Sequence, residues 1–120
     1  MRIGAFVKTL NTTVDTVRHY EELGLIHPVR DNQQKQYSED HVKAFQAIQE
    51  LKMVGFTLDD IGLIVKLRES FGCGAPELIH GVLQQFAHRI EALNEEIVVL
   101  QGRRDSLRAL VEELQTVRKQ

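Results

Sequence analysis

Arg18, His19 and Tyr20 stand in a row inside the segment TTVDTVRHYEELGLI, residues 12–26, and together offer a guanidinium, an imidazole and a phenol. A guanidinium can fork onto guanine edges or a phosphate, and neighbouring Asp15 and Thr16 add further hydrogen-bonding groups, so the cluster points to DNA. Nothing in the chain points to catalysis: it has no Gly-rich phosphate loop, no zinc-protease pattern and no nucleophile with a base at readable spacing. The expectation is a non-enzyme without a cofactor or a metal. Cys73 is the single cysteine, which excludes an internal disulfide and, alone, a four-ligand zinc site.

A general electrostatic DNA binder carries a basic surplus, whereas this chain of 120 residues has a net charge of -2. Residues 1–37 are close to neutral, with Arg2, Lys8, Arg18, Arg30 and Lys35 against Asp15, Glu21, Glu22 and Asp31. Any affinity for DNA must come from placed contacts. The hydrophobic fraction of 42% and charged fraction of 27% are those of a folded chain. With neither a membrane-length apolar run nor a secretory signal, the expected location is the cytoplasm, away from membranes.

The elements that must position these groups fall into two parts. Residues 1–70 read as short helices separated by turns, 71–75 as a linker and 76–120 as one long helix. Ile3, Phe6, Val7 and Leu10 recur at helical spacing before Asn11, a residue that tolerates a left-handed turn. A second helix follows at once, capped by Thr13, with Asp15 in its first turn and Gly24 at its end; Val14, Val17 and Leu23 form its apolar face. Pro28 and a polar centre make residues 25–37 a hairpin or irregular wing. Ser38 and Thr57 cap two further helices, with Tyr37–Val42 and Phe56–Ile61 as staples; Val42, Phe45, Ile48, Leu51 and Met53 face inward on the first.

Pro76 suits the first turn of the last helix. Along it Ile79, Phe86, Leu93, Leu100, Leu107 and Leu114 fall seven apart, and Leu83, Ile90, Ile97, Arg104 and Val111 form a second seam. A stripe on the order of 60 Å long needs a partner, most simply a second copy; a helical hairpin broken at Gly102 or packing on the front domain are the alternatives.

Two short helices joined by a tight turn match the helix-turn-helix plan, in which the second helix enters the major groove. Ile3-Gly4, Thr16-Val17-Arg18-His19-Tyr20-Glu21, Gly24-Leu25-Ile26 with Pro28 and Arg30, Tyr37-Ser38 and Gly55-Phe56-Thr57-Leu58 ahead of Ile61 occur in this order. Over residues 1–68 the chain thereby resembles the MerR family of transcription regulators. The resemblance implies a mainly α fold, a winged helix-turn-helix domain followed by an antiparallel coiled-coil dimerisation helix. It implies a homodimer on a palindrome within an overlong promoter spacer, which it bends and undertwists for RNA polymerase holoenzyme. Carried over, Arg18 and Tyr20 are recognition-helix contacts, and Arg30 and Tyr37 belong to the wing and its exit. Arg2, Thr13, Asp15, Thr16, His19 and Lys35 complete the candidate DNA contacts. The chain departs from the family at Gln33-Gln34-Lys35, where Gly-Tyr-Arg is usual, at Asn11-Thr12 and at His19.

The signal is less defined. Cys73, between glycines near a helix start, is a candidate thiol sensor, a soft-metal ligand with His80 across a dimer axis, or an inert linker residue. A different class of function, a coiled-coil adaptor that has lost DNA binding, also fits the neutral charge.

Overall fold

The computed structural model describes residues 1–72 and 74–119 and is mainly helical. Helices α1 (Ile3–Leu10) and α2 (Val14–Glu22) precede a hairpin of β1 (Val29–Asp31) and β2 (Gln34–Gln36), followed by α3 (Glu39–Met53), α4 (Leu58–Phe71) and α5 (Pro76–Lys119). Two compact units result, Met1–Val82 and Leu83–Gln120.

Local chemistry sets the breaks. Asn11 takes φ 52° and ψ 49° and turns α1 into α2. The Thr13 hydroxyl accepts the Thr16 backbone N–H at 3.2 Å, so α2 starts where a cap removes an orphan donor. At its other end Gly24 takes φ 75°. The Leu25 N–H then donates to the Tyr20 carbonyl at 2.9 Å and the Gly24 N–H to Glu21 at 3.0 Å, a Schellman closure. Thr57 and Asp60 exchange two 3.1 Å bonds at the start of α4. At α3 the His41 Nδ1 accepts the Ser38 N–H at 2.9 Å, and its Nε2 lies 2.9 Å from the His27 carbonyl oxygen, tying α3 to the loop after α2.

The core of the first unit gathers on α1. Phe6 is fully buried; it stacks on Tyr37 at 4.3 Å and meets Phe45 edge-on at 6.0 Å, while Tyr20 lies 5.3 Å from Phe45. Leu10, Val17, Leu25, Ile26, Val42, Ile48, Phe56 and Ile61 complete it. Two apolar residues expected inside are outside: Leu23 and Met53. Each closes a helix, where the chain leaves the direction that kept its side chain over the core.

Leu78 is buried although it lies on neither heptad seam, and a Cβ on Gly81 would stand 2.8 Å from Leu67 Cδ1. The first turns of α5 therefore pack closely on α4. The hairpin pairs Arg30 with Lys35 and turns through Asn32 and Gln33, both left-handed at φ 49° and 67°. Asn adopts that region at lower cost than Gln. Gln33→Gly is expected to raise stability by about 0.5–1 kcal/mol, and Gly24→Ala to lower it by about 1–2 kcal/mol, both read from urea unfolding midpoints.

Candidate nucleic-acid interface

Helix α2 buries Val17 and Tyr20 and turns Asp15, Arg18, His19 and Glu22 to solvent. Those four positions repeat at the three- and four-residue spacing of a single helix face. Arg18 makes no hydrogen bond or ion pair among the described residues, so its five donors face outward unspent. Glu22, absent from the expected contacts, borders this face; the i, i+4 step from Arg18 was the signal for it.

The wing is held to α2 by one carboxylate. Glu21 accepts Lys35 Nζ at 2.7 Å on one oxygen and the Tyr37 hydroxyl on the other. Its side chain is 10% exposed and that of Lys35 36%, so the pair is shielded enough to outweigh an ordinary surface ion pair. Glu21 was visible in the sequence only as part of a motif. Its partners lie 14 and 16 residues away, which no local pattern reveals. Tyr37 is clamped again through its backbone, donating its N–H to the Met1 carbonyl at 2.7 Å and accepting the Met1 amino group at 2.6 Å. That bridge sets exposed Arg2 beside the exit of the wing.

Tyr37 is thus a correction to the expected contacts: it is 1% exposed, its ring lies on Phe6 and its hydroxyl is spent on Glu21. Tyr20, 5% exposed, likewise packs its ring in the core. Thr13 and Thr16 bond each other, Oγ1 to Oγ1 at 2.9 Å, in the cap of α2. Lys35 sits on Glu21. Arg30, opposite Lys35 on the hairpin, is exposed. Cys73 lies outside the described residues. Among the described residues no three His, Cys, Asp or Glu side chains group as a metal site, and no helix is long and apolar enough to cross a membrane.

In the second unit the heptad positions stand open. Ile90, Ile97, Leu100, Leu107, Val111 and Leu114 are each at least half exposed, and Leu114 reaches 70%. Arg104, the polar seam residue, turns its guanidinium to Asp105 at 3.2 Å.

The capped helix, the pinned wing and the striped helix agree with what comparison with known proteins finds. Residues 1–67 match the family described as MerR HTH family regulatory protein. The chain belongs to the MerR family. It is 30% identical over 110 residues to the HTH-type transcriptional regulator ZntR homolog of Haemophilus influenzae, covering 90% of this chain and 81% of that one. To the HTH-type transcriptional regulator CueR of Salmonella typhimurium it is 28% identical, covering 93% and 80%. The crystal structure of the transcription regulator PbrR691 from Ralstonia metallidurans CH34 in complex with lead(II) is similar at 32% identity. Its TM-score is 0.59, over 99% of this chain and 86% of that one. The chain is a MerR-family DNA-binding transcription regulator, its relatives are regulators rather than enzymes, and nothing supports the adaptor reading.

The Glu21 clamp leaves a pH signature. Burial first, then the hydrogen bond and charge of Glu21, push the Tyr37 phenol well above its ordinary value, against a smaller opposite pull from Arg18. The folded chain keeps this proton where the unfolded one releases it, so the stabilisation is full below about pH 10 and is lost as pH rises further. Tyr37→Phe is expected to cost about 1.5–3 kcal/mol at neutral pH, because the lost bond is to a charged partner. In urea unfolding it should also flatten the alkaline decline.

Proposed function

We propose that this regulator acts as a homodimer in the cytoplasm on double-stranded promoter DNA. Each α2 lies in a major groove and each wing against the flanking backbone. The site is a palindrome within an overlong promoter spacer, and bending and undertwisting it realigns the promoter for RNA polymerase holoenzyme. Residues 1–70 form the DNA-binding domain and 76–120 the dimerisation helix. MerR-family regulators bind promoter DNA and act as dimers, which supports the reading for this chain. The observation that carries it is the outward Arg18, unpartnered among the described residues, on a capped helix whose neighbouring wing is fixed by Glu21.

Arg18 and Arg30 are the direct contacts, His19 and Arg2 flank them, and Asp15 and Glu22 restrict which bases are accepted. A carboxylate facing the groove accepts from cytosine and repels phosphate. Lys35, Thr13, Thr16, Tyr20 and Tyr37 hold these groups in place. Distorting the duplex costs of order 1–6 kcal/mol, which contacts to the backbone must offset.

Arg18→Ala is expected to weaken binding to a palindromic duplex by about tenfold or more, with an unchanged unfolding midpoint. Fluorescence anisotropy at two salt concentrations reads this directly. Equal affinity for variant and parent would take Arg18 out of the interface.

A further inference from the structure

The ladder of the wing stops short of its base. Carrying the register Val29↔Gln36 two steps further sets His27 opposite Ser38, with Pro28 opposite Tyr37 between them. Pro28 has no N–H to give, and the backbone of Tyr37 is spent on Met1, which accepts its N–H and donates to its carbonyl. Strands of three residues are thus left without a rung where they meet the rest of the head.

A side chain closes the base instead. His41, in the first turn of α3, accepts the Ser38 N–H on Nδ1 at 2.9 Å, and its Nε2 lies 2.9 Å from the His27 carbonyl oxygen. A carbonyl only accepts, so Nε2 carries the proton and Nδ1 is the bare nitrogen. The imidazole stands between a donor on the exit of the wing and an acceptor on its entry, and only the neutral Nε2–H ring serves both.

We propose that His41 is a positioning residue that bridges the two ends of the wing, and that protonation of its ring opens this base and weakens DNA binding. A second proton must go on Nδ1, which then meets the Ser38 N–H donor to donor at 2.9 Å. The new N–H finds Ser38 Oγ, 3.0 Å away, while the backbone N–H loses its acceptor. The surrounding charges do not remove this conflict. Glu39 and Asp40 in the first turn of α3 attract a cation, as does Glu69 on α4, itself 3.2 Å from the His27 ring. Arg68 on α4 and the positive end of α3 repel it. Tyr37, edge-on to the ring at 6.0 Å, keeps its hydroxyl on Glu21. Ser38 directly follows Tyr37, so a shift at Ser38 reaches the residue that carries both the Phe6 stack and the Glu21 bond. The coupling to DNA rests on the function proposed above; the bridge itself does not.

Nitrogen-15 NMR of the full chain reads the bridge without DNA. At about pH 7.5 the His41 ring should show a protonated Nε2 and a bare Nδ1, and the Ser38 amide should move upfield as that ring titrates. A proton on Nδ1, or a Ser38 amide indifferent to the titration, overturns the bridge. Fluorescence anisotropy on a duplex that the chain selects from a random pool reads the coupling. His41→Gln cannot titrate and keeps an acceptor for the Ser38 N–H, as Gln does in an ordinary capping box. It should bind within about threefold of the parent at about pH 7.5 and about three- to tenfold tighter than the parent at about pH 5.5, the worth of one hydrogen bond. Comparing the two chains cancels the titration of His19 on the DNA face, and parallel profiles would overturn the coupling. His27→Gln keeps its carbonyl and should follow the parent; a profile like that of His41→Gln would assign the effect to the His27–Glu69 pair instead and overturn the role of His41. A parent that selects no duplex overturns the DNA reading and the coupling with it, an outcome distinct from the NMR result.

Discussion

One largely shielded carboxylate, Glu21, holds the reading head together. A hairpin with strands of three residues and a helix of nine are each too short to stand alone in water. The Phe6–Tyr37 stack joins the exit of the wing to α1, and Glu21 joins the wing to α2. Because Tyr37 takes part in both, the orientation of the wing relative to the recognition helix follows from packing and one charge. Lys35 is neutralised in the process, which also removes a repulsion from Arg30 across the hairpin.

That arrangement explains how a chain of net charge -2 can serve DNA. The cations of residues 1–37 are nearly matched in number by carboxylates, so each must be aimed. Arg18 is aimed by the cap at Thr13 and the closure at Gly24, and Arg30 by the hairpin register. A head built this way gains little from bulk attraction and relies on the placement of single groups. Two heads held at a fixed separation then count for more than one, because the second binds from a high effective concentration.

Most of the local structure was legible in the sequence. Asn11, Thr13, Gly24, Ser38 and Thr57 mark helix ends through capping and backbone preferences that act within a few residues, and the ends lie where those residues stand. The heptads of α5 were equally plain. What escaped depends on which distant segments meet. Tyr37 was expected on DNA and lies in the core, since an aromatic in a motif does not announce which way it faces. Leu78 and Gly81 escaped because the stronger seam beside them drew the pattern, while the packing of α4 on α5 uses another face.

The central claim is that a two-fold pair of these heads reads a two-fold symmetric duplex. Selecting bound sequences from a random DNA pool with the purified chain tests it whatever the operator sequence. The account predicts enrichment of an inverted repeat whose half-sites lie at one constant spacing. Enrichment of a single unrepeated motif, or no enrichment above the starting pool, would contradict it.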